Sequence, residues 1–161
     1  MEDAAGSRLE SRTLGSRLAR YLPLLFWMAF IAFASTGELS ASNTSRILRP
    51  LLLWLFPDIS AERLATMHFL ARKGAHFAEY FVLGFLAARA FATSSLDRLK
   101  HNWFGWSILL VTVYALLDEY HQSFVPSRTG SIYDSLIDFS GGLTALLIFK
   151  IWFGRSRNER G

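Results

Sequence analysis

Asp-Glu-Tyr-His-Gln-Ser-Phe-Val-Pro-Ser-Arg-Thr-Gly-Ser-Ile-Tyr-Asp-Ser-Leu-Ile-Asp, residues 118–138, is the stretch around which the chain is organised. An apolar run, residues 103–117, precedes it, and a second apolar run, residues 132–153, starts inside it. Four carboxylates, an arginine and a glutamine therefore lie in and around a short turn between two predicted membrane helices. Ionisable groups at the edge of a bilayer cost free energy unless they are paired or hydrated, so this turn is a candidate site.

The composition indicates lipid as the solvent. Of the 161 residues, 52% are hydrophobic and 15% aromatic, and the mean hydropathy is +0.25. A soluble domain of this length is usually more polar, and the length predicts one domain. The chain has no cysteine, which excludes disulfides, thiolate metal sites and cysteine nucleophiles.

The net charge of +4 does not indicate a nucleic-acid partner. The arginines concentrate near the two ends of the chain, beside the predicted membrane helices. Basic residues in such juxtamembrane positions are typical of the cytoplasmic side of a membrane protein. The predicted partner is the lipid bilayer, and no nucleic acid is expected.

The hydropathy pattern predicts an all-α, polytopic membrane protein, a small bundle of four transmembrane helices. These helices are expected at about residues 21–36, 68–92, 103–119 and 131–153. Residues 1–20 form a basic, loosely structured cytoplasmic segment in this prediction, and residues 154–161 form a basic cytoplasmic tail. A cleaved signal sequence is the alternative for the first run, but Ala32-Phe33-Ala34 is a weak cleavage context, so an uncleaved helix is favoured at about three to one.

The long connection between the first two helices contains the apolar patch 51–56. This patch is too short to span, because a membrane helix needs roughly 20 residues. Trp54 suits a membrane interface, so the patch is predicted to be an interfacial or re-entrant segment. A packed core helix is the open alternative. Residues 94–102 are predicted to be a polar loop.

The distribution of basic residues predicts the orientation. The N-terminal segment has four arginines, the tail has three, and the loop after the second helix has Arg98 and Lys100. By the positive-inside rule, both termini and that loop lie in the cytoplasm. The acidic turn then faces outward, together with the charged start of the second helix.

Two charged patches therefore meet at the outer face in this prediction. On the second helix, Lys73, His76, Glu79 and Tyr80 fall within an arc of about 120°. On the fourth helix, positions 134, 138 and 141 form one line at i, i+4 and i+7. The candidate site residues, for acid–base chemistry or ligand binding, are Lys73, His76, Glu79, Asp118, Glu119, Gln122, Arg128 and Asp134.

Negative charge exceeds positive charge in this set. The acidic members, which are also the candidate metal ligands, are Glu79, Asp118, Glu119, Asp134 and Asp138. Lys73, Arg128, His76 and an inward-pointing Arg72 return part of that charge, which leaves a surplus of one to three. Protonation, water or a bound cation relieves such a surplus. Oxygen ligands suit Mg²⁺ or Ca²⁺ better than zinc, so a divalent cation of that kind is the cofactor to consider.

Structural explanations exist for several of these residues. Asp134 near the start of a helix is favourable for the helix dipole, and this alone explains an acid there. Tyr80 at a membrane interface is more often part of the aromatic belt than of a site, at about two to one. Asp138 lies a full turn deeper, where a structural explanation is weak. The convergence of all these groups on one face is what favours a site.

The motifs resemble those of the VanZ-like family. Lys73-Gly-Ala-His76-Phe-Ala-Glu79-Tyr80 is similar to its first motif, and a second motif is carried by Asp118-Glu119, Gln122, Phe124-Val125-Pro126, Arg128, Asp134 and Gly141. Asp138 stands where the family pattern usually has Asn, and Ser127 replaces a common Gly. The resemblance implies a small four-helix membrane protein linked to resistance to the glycopeptide teicoplanin.

Three functions remain open from the sequence. The first is an enzyme acting on a lipid-linked or phosphorylated envelope precursor, in which Lys73 and Arg128 hold anionic oxygens and His76 carries protons. The second is a non-catalytic membrane protein, which either binds an anionic lipid headgroup, an envelope partner or a drug or has a structural role. The third is a proton-linked transporter, which a single small bundle without inverted repeats disfavours.

Overall fold

The computed structural model describes the backbone of residues 2–36, 49–124 and 132–158, and the side chains of residues 18–36, 49–124 and 132–153. These ranges are almost entirely helical and contain no strand, which confirms the all-α prediction. The helices are α1 (Glu2–Ala34), α2 (49–55), α3 (Ala61–Ala92), α4 (Asp97–His101), α5 (Trp103–Gln122) and α6 (Ile132–Asn158).

The four long helices form a bundle in which each helix runs antiparallel to the next long one. Tyr21 near the middle of α1 contacts Ser94 just after α3, with 2.8 Å between their hydroxyl oxygens. Trp27 then donates its indole N–H to the carbonyl oxygen of Glu79 at 2.8 Å, further back along α3. Contacts that move forward on one helix and backward on the other show that α1 and α3 are antiparallel.

The other helix directions follow from the same kind of contact. Tyr114 of α5 donates to the carbonyl oxygen of Met28 at 2.5 Å, and Ser35 bonds to Asp118 one turn further on. Helices α1 and α5 are therefore parallel. Because α3 and α6 are each antiparallel to them, the end of α5 and the start of α6 lie at the same end of the bundle.

Helices α3 and α6 pack backbone to backbone through glycines. Gly84 faces Gly142, and a Cβ on Gly84 would lie 2.5 Å from the Gly142 carbonyl oxygen. A Cβ on Gly141 would collide with the carbonyl oxygen of Phe77. Small residues allow such close approach between membrane helices. Phe77 directly follows His76, so this contact also sets how near α6 comes to the polar residues of α3.

The core fills the space between the long helices. Ile31, Tyr80, Leu83, Val111 and Leu146 are among its fully buried side chains. Aromatic side chains pack together at the end of the bundle where α5 begins. There the Trp103 ring packs edge-on against Phe149, with ring centroids 5.3 Å apart.

All four long helices expose large apolar side chains on the outer surface of the described bundle. One helix of the described chain, over Ile132–Phe153, is long and apolar enough to cross a membrane, and a shorter apolar helix covers Leu18–Ala34. Large exposed apolar side chains also occur on α3 and α5, for example Leu70 at 60% and Leu117 at 56% exposure. These helices carry charged and aromatic residues as well, which lowers their mean hydropathy.

The structure corrects three expectations about the polar segments. Residues 2–20 are helical rather than loosely structured, because Ala, Leu, Glu and Arg favour helix and an existing helix extends at little cost. Helix α3 begins already at Ala61, where Ser60 accepts a hydrogen bond from the Arg63 N–H at 3.3 Å as an N-cap. The predicted polar loop contains α4, with Asp97 in its first turn and basic residues in its last, as the helix dipole favours.

Helix α2 contains most of the short apolar patch. Its side chains are exposed, with Trp54 at 77%. They do not pack into the core of the described bundle, so the alternative of a core helix is wrong. An interfacial position remains the prediction for this segment.

Candidate functional site

Three charged side chains form the outer part of the polar end of the bundle, and we call them the charged rim: Arg72, Lys73 and Asp134. Lys73 and Asp134 form an ion pair, and an Arg72 Nη2 atom lies 3.5 Å from an Asp134 carboxylate oxygen. The side chains of Arg72 and Lys73 keep 32% and 17% of their surface exposed, whereas Asp134 keeps 8%. One carboxylate is thus shared by two cations.

The local structure explains why the rim forms. Asp134 lies in the first turn of α6, where the helix dipole favours a negative charge. Arg72 and Lys73 lie on α3, which runs parallel to α6 at close distance because of the glycine contacts. From the sequence, Arg72 counts among the cations of the site only if its side chain points inward. Its contact with Asp134 shows that it does.

A buried cluster lies one turn deeper, made of Ser35, His76, Asp118, Gln122 and Asp138. His76 follows Arg72 by one turn on α3, and Asp138 follows Asp134 by one turn on α6. The His76 Nδ1 atom lies 3.2 Å from an Asp138 carboxylate oxygen. Asp138 is fully buried and His76 is 8% exposed. Two parallel helices therefore carry a charged pair at the rim and an acid–imidazole pair beneath it.

Helices α5 and α1 supply the rest of the buried cluster. Gln122 donates from Nε2 to one Asp118 carboxylate oxygen at 3.0 Å, and the Ser35 hydroxyl forms a short hydrogen bond with the other. Ser35 also lies 2.9 Å from the carbonyl oxygen of Ile31. A hydroxyl has one proton, so Ser35 satisfies one of these acceptors at a time. Asp118 is thereby held by neutral groups.

Several buried oxygens of this region have no hydrogen-bond partner among the described residues. They are Oε1 of Gln122, one carboxylate oxygen of Asp138 and the hydroxyl of Tyr80. Tyr80 is fully buried in a core cluster that includes Ile31 of α1 and Val111 of α5, so the expectation that it belongs to an interfacial aromatic belt is wrong. Buried polar atoms in folded proteins are nearly always satisfied, so these oxygens point to a group that completes the cluster.

The buried cluster offers metal ligands. One atom each of His76, Asp118 and Asp138 lies within 4.8 Å of the others, and all three residues are buried. Within the described chain, neither Asp118 nor Asp138 forms an ion pair with a lysine or arginine, whereas Arg72 and Lys73 both pair with Asp134. Two carboxyl groups therefore share a single imidazole, and a cation or proton is needed to balance their charge.

The remaining predicted residues lie around these two layers. Glu119 is buried on α5, and Glu79 is half-buried on α3. The backbone carbonyl oxygen of Glu79 accepts a hydrogen bond from Trp27. Neither belongs to the group of close metal-ligand atoms. Arg128 lies outside the described residues. His76 was predicted to carry protons, and the predicted metal ligands were all acids. In the structure, His76 also lies among the potential metal ligands.

Ser35 is a site residue that sequence analysis missed. It lies at the end of an apolar run, just after α1, and is 3% exposed. A single serine there has no periodic signal that separates it from an ordinary helix end. Its hydrogen bond to Asp118 depends on the register of α1 against α5, which only the folded bundle sets.

The fold and this site together define a class of protein: a helical bundle with an apolar surface and a polar, partly buried site at one end. The VanZ/LLP1 family model matches residues 18–153. The chain belongs to the VanZ/LLP1 family, as its motifs indicate. A search of curated proteins and a search of solved structures gave no match.

Proposed function

We propose that the protein spans the membrane four times and binds, at its outward polar end, the anionic group of a lipid-linked or phosphorylated cell-envelope ligand. The observation that carries this proposal is the charged rim, in which Asp134 is the shared carboxylate of Arg72 and Lys73. With one carboxylate for two cations, the rim has one positive charge left for a ligand.

The apolar surface supports the membrane part of the proposal. Each long helix exposes large apolar side chains, such as Phe26 on α1, Leu70 on α3, Leu116 on α5 and Ile148 on α6. Extended apolar surface on every side of a bundle suits lipid rather than water. The arginine distribution favours an orientation with both termini in the cytoplasm and the polar end outside.

The rim has the chemistry for a phosphate or carboxylate. An arginine presents a planar fork that binds such oxygens in pairs, and a lysine adds a compact charge. Their side chains are partly exposed, so a ligand can reach them without unfolding the bundle.

Apolar surface lies directly beside these cations. Phe69 and Leu70 are each 60% exposed, and the Lys73 ammonium lies 5.2 Å from the centre of the Phe69 ring. A ligand with an anionic head and an apolar chain fits this arrangement better than a fully polar one. A lipid-linked envelope precursor has that composition, and binding it connects the protein to glycopeptide resistance of the teicoplanin type.

A catalytic version of this function is favoured by one further observation. The His76–Asp138 pair lies one turn beneath the rim, and a positioned imidazole next to a carboxylate can move protons. In that version, the rim holds the ligand and His76 serves as the acid or base. Ser123, exposed and bonded to the carbonyl oxygen of Tyr120, is not placed as a nucleophile.

Binding can be tested with the full-length chain in lipid nanodiscs. The probe is a long-chain polyprenyl phosphate, with the corresponding polyprenol as the uncharged comparison. We expect Lys73→Gln and Arg72→Gln to weaken binding of the phosphate at least about tenfold, as loss of a charge-assisted hydrogen bond does. Lys100→Gln is the matched control, because Lys100 is exposed on α4 and lies at the other end of the bundle.

Equal binding of phosphate and polyprenol would contradict the proposal, as would equal binding by the Lys73 and Lys100 variants. The variant His76→Gln distinguishes the catalytic version from binding alone. That variant should keep the affinity for the phosphate while it loses any turnover of the lipid, which thin-layer chromatography of the extracted lipids measures.

A further inference from the structure

We propose that His76, Asp118 and Asp138 form a binding site for a divalent transition-metal ion, with Zn²⁺ as the best match. The site lies in the buried cluster and not at the charged rim. It therefore stands independently of the proposed ligand binding. It also differs from the all-oxygen site for Mg²⁺ or Ca²⁺ expected from the sequence, because one of its ligands is an imidazole.

The distances fit such an ion. Zinc binds histidine nitrogen and carboxylate oxygen at about 2.0–2.2 Å, so tetrahedral ligands lie roughly 3.4 Å apart. The His76 Nδ1 atom and an Asp138 oxygen are 3.2 Å apart, and one ligand atom from each of His76, Asp118 and Asp138 lies within 4.8 Å of the other two. A contraction of at most about 1.4 Å then brings them to tetrahedral spacing, a movement that side-chain rotation provides.

The charge of the cluster favours a cation. Asp118 is 6% exposed and Asp138 is fully buried, and in the described chain neither is within ion-pair distance of a lysine or arginine. Even with His76 protonated, the three groups carry one negative charge. A buried charge without a partner costs several kcal/mol, and a divalent cation removes this cost while it uses the same oxygens.

A second observation points to a ligand independently of the acids. Gln122 is fully buried; its Nε2 atom donates to Asp118 at 3.0 Å, and its Oε1 atom has no partner among the described residues. This oxygen belongs to the same amide group whose nitrogen holds Asp118. An amide oxygen can bind a cation as well as accept a hydrogen bond, so we assign Gln122 as the candidate fourth ligand.

The surroundings of the site support metal binding. Metal-bound carboxylates are usually oriented by further hydrogen bonds, and loss of such a bond typically costs 10–100-fold in metal affinity. The Ser35 hydroxyl has this position on Asp118. The donor set favours Zn²⁺ over the hard ions, since a mixed nitrogen and oxygen site binds Zn²⁺ more tightly than Mn²⁺ and prefers it to Mg²⁺.

The test uses the full-length chain in detergent, purified with an affinity tag that contains no histidine and then treated with chelator. Zn²⁺ is titrated by calorimetry, and thermal unfolding is followed by circular dichroism. We expect one Zn²⁺ per chain and, at saturation, a rise in Tm of about 5 °C or more, since a ligand that binds only the folded state stabilises it. Mg²⁺ at the same concentration should leave Tm unchanged.

Three variants identify the site. His76→Gln, Asp118→Asn and Asp138→Asn should each lower the Zn²⁺ affinity at least about 100-fold. His121→Gln is the matched control, because His121 is exposed near the same end of the bundle, and its affinity should equal that of the unchanged chain. The absence of one-to-one binding in the unchanged chain overturns the proposal, and so does full affinity in Asp138→Asn.

Asp138→Asn also keeps the test valid if other variants unfold. It removes a buried charge and retains the shape of the side chain, so the chelated variant should have a Tm equal to or above that of the chelated parent chain. Polyprenyl phosphate binding by the metal-free chain is measured in parallel. Loss of zinc binding with intact phosphate binding refutes only the metal site, and the reverse result refutes only the proposed function.

Discussion

A Cβ atom on Gly84 would lie 2.5 Å from the carbonyl oxygen of Gly142, because α3 and α6 touch backbone to backbone at this point. The same two helices carry His76 and Asp138 further toward the polar end, where they are hydrogen-bonded at 3.2 Å. The separation of the helices at the glycines therefore determines whether the acid and the imidazole can meet. Packing and site geometry are coupled through this contact.

The first prediction tests that coupling. Gly84→Ala should destabilise the folded chain by about 1–3 kcal/mol, since the added methyl group overpacks a backbone contact. Gly74→Ala on the same helix is the control, because a Cβ there meets nothing within 4 Å, and it should stabilise by up to about 1 kcal/mol through helix propensity. Thermal unfolding in detergent measures both. Equal Tm values for the two variants would show that the glycine contact is not formed.

The second prediction concerns Ser35. Its hydroxyl holds one oxygen of Asp118, and both residues are buried. Ser35→Ala leaves that carboxylate oxygen without its donor, which should cost about 1–3 kcal/mol of stability. Ser140→Ala is the control, because the hydroxyl of the exposed Ser140 donates to the carbonyl oxygen of Ile137 in its own helix, and the Tm of this variant should not change. If both variants melt together, Ser35 does not support Asp118.

The helices could be predicted from the sequence, whereas the contact between Ser35 and Asp118 could not. Hydropathy and helical periodicity were sufficient for the four long helices and for the line through Asp134, Asp138 and Gly141. Position along a helix also separates Asp134 at the rim from Asp138 one turn deeper. The partners of Asp118 could not be predicted, because the contact with Ser35 depends on how far α1 slides along α5. That register is set by tertiary packing.

Tyr80 illustrates the same limit. A tyrosine near a predicted interface is usually part of an aromatic belt, and this general preference favoured the belt for Tyr80. The structure buries Tyr80 completely, with its ring 6.4 Å from that of Tyr114. The sequence-based prediction therefore lacked one piece of information, namely which face of α3 points into the bundle. The glycines at 84, 141 and 142 are the signal that could have supplied it, since they mark the contact face.

The third prediction concerns orientation. The chain has no cysteine, so a single introduced cysteine reports on one position. Ser123→Cys lies after α5 at the polar end and Ser95→Cys lies after α3 at the opposite end, and both positions are exposed. In intact cells, an impermeant thiol reagent should label position 123 and leave position 95 unlabelled until the cells are lysed. Labelling in the opposite pattern would reverse the orientation and place the polar end in the cytoplasm.

The fourth prediction tests whether the rim binds an anion through its surplus positive charge. Asp134 is the ion-pair partner of both Arg72 and Lys73, so it competes with any anionic ligand for them. Asp134→Asn removes the competing charge and retains the size of the side chain. Polyprenyl phosphate should then bind at least as tightly as to the unchanged chain, whereas Lys73→Gln weakens binding.

Stability must be measured beside affinity in this experiment. Breaking a fully buried ion pair costs about 3–5 kcal/mol, and the cost should be smaller here because Arg72 and Lys73 keep part of their surface in solvent. We therefore expect Asp134→Asn to lower Tm and yet to retain phosphate binding in nanodiscs at a temperature where it is folded. Loss of binding in the folded variant would mean that Asp134 contacts the ligand itself. The rim would then act through its carboxylate and not through its surplus positive charge.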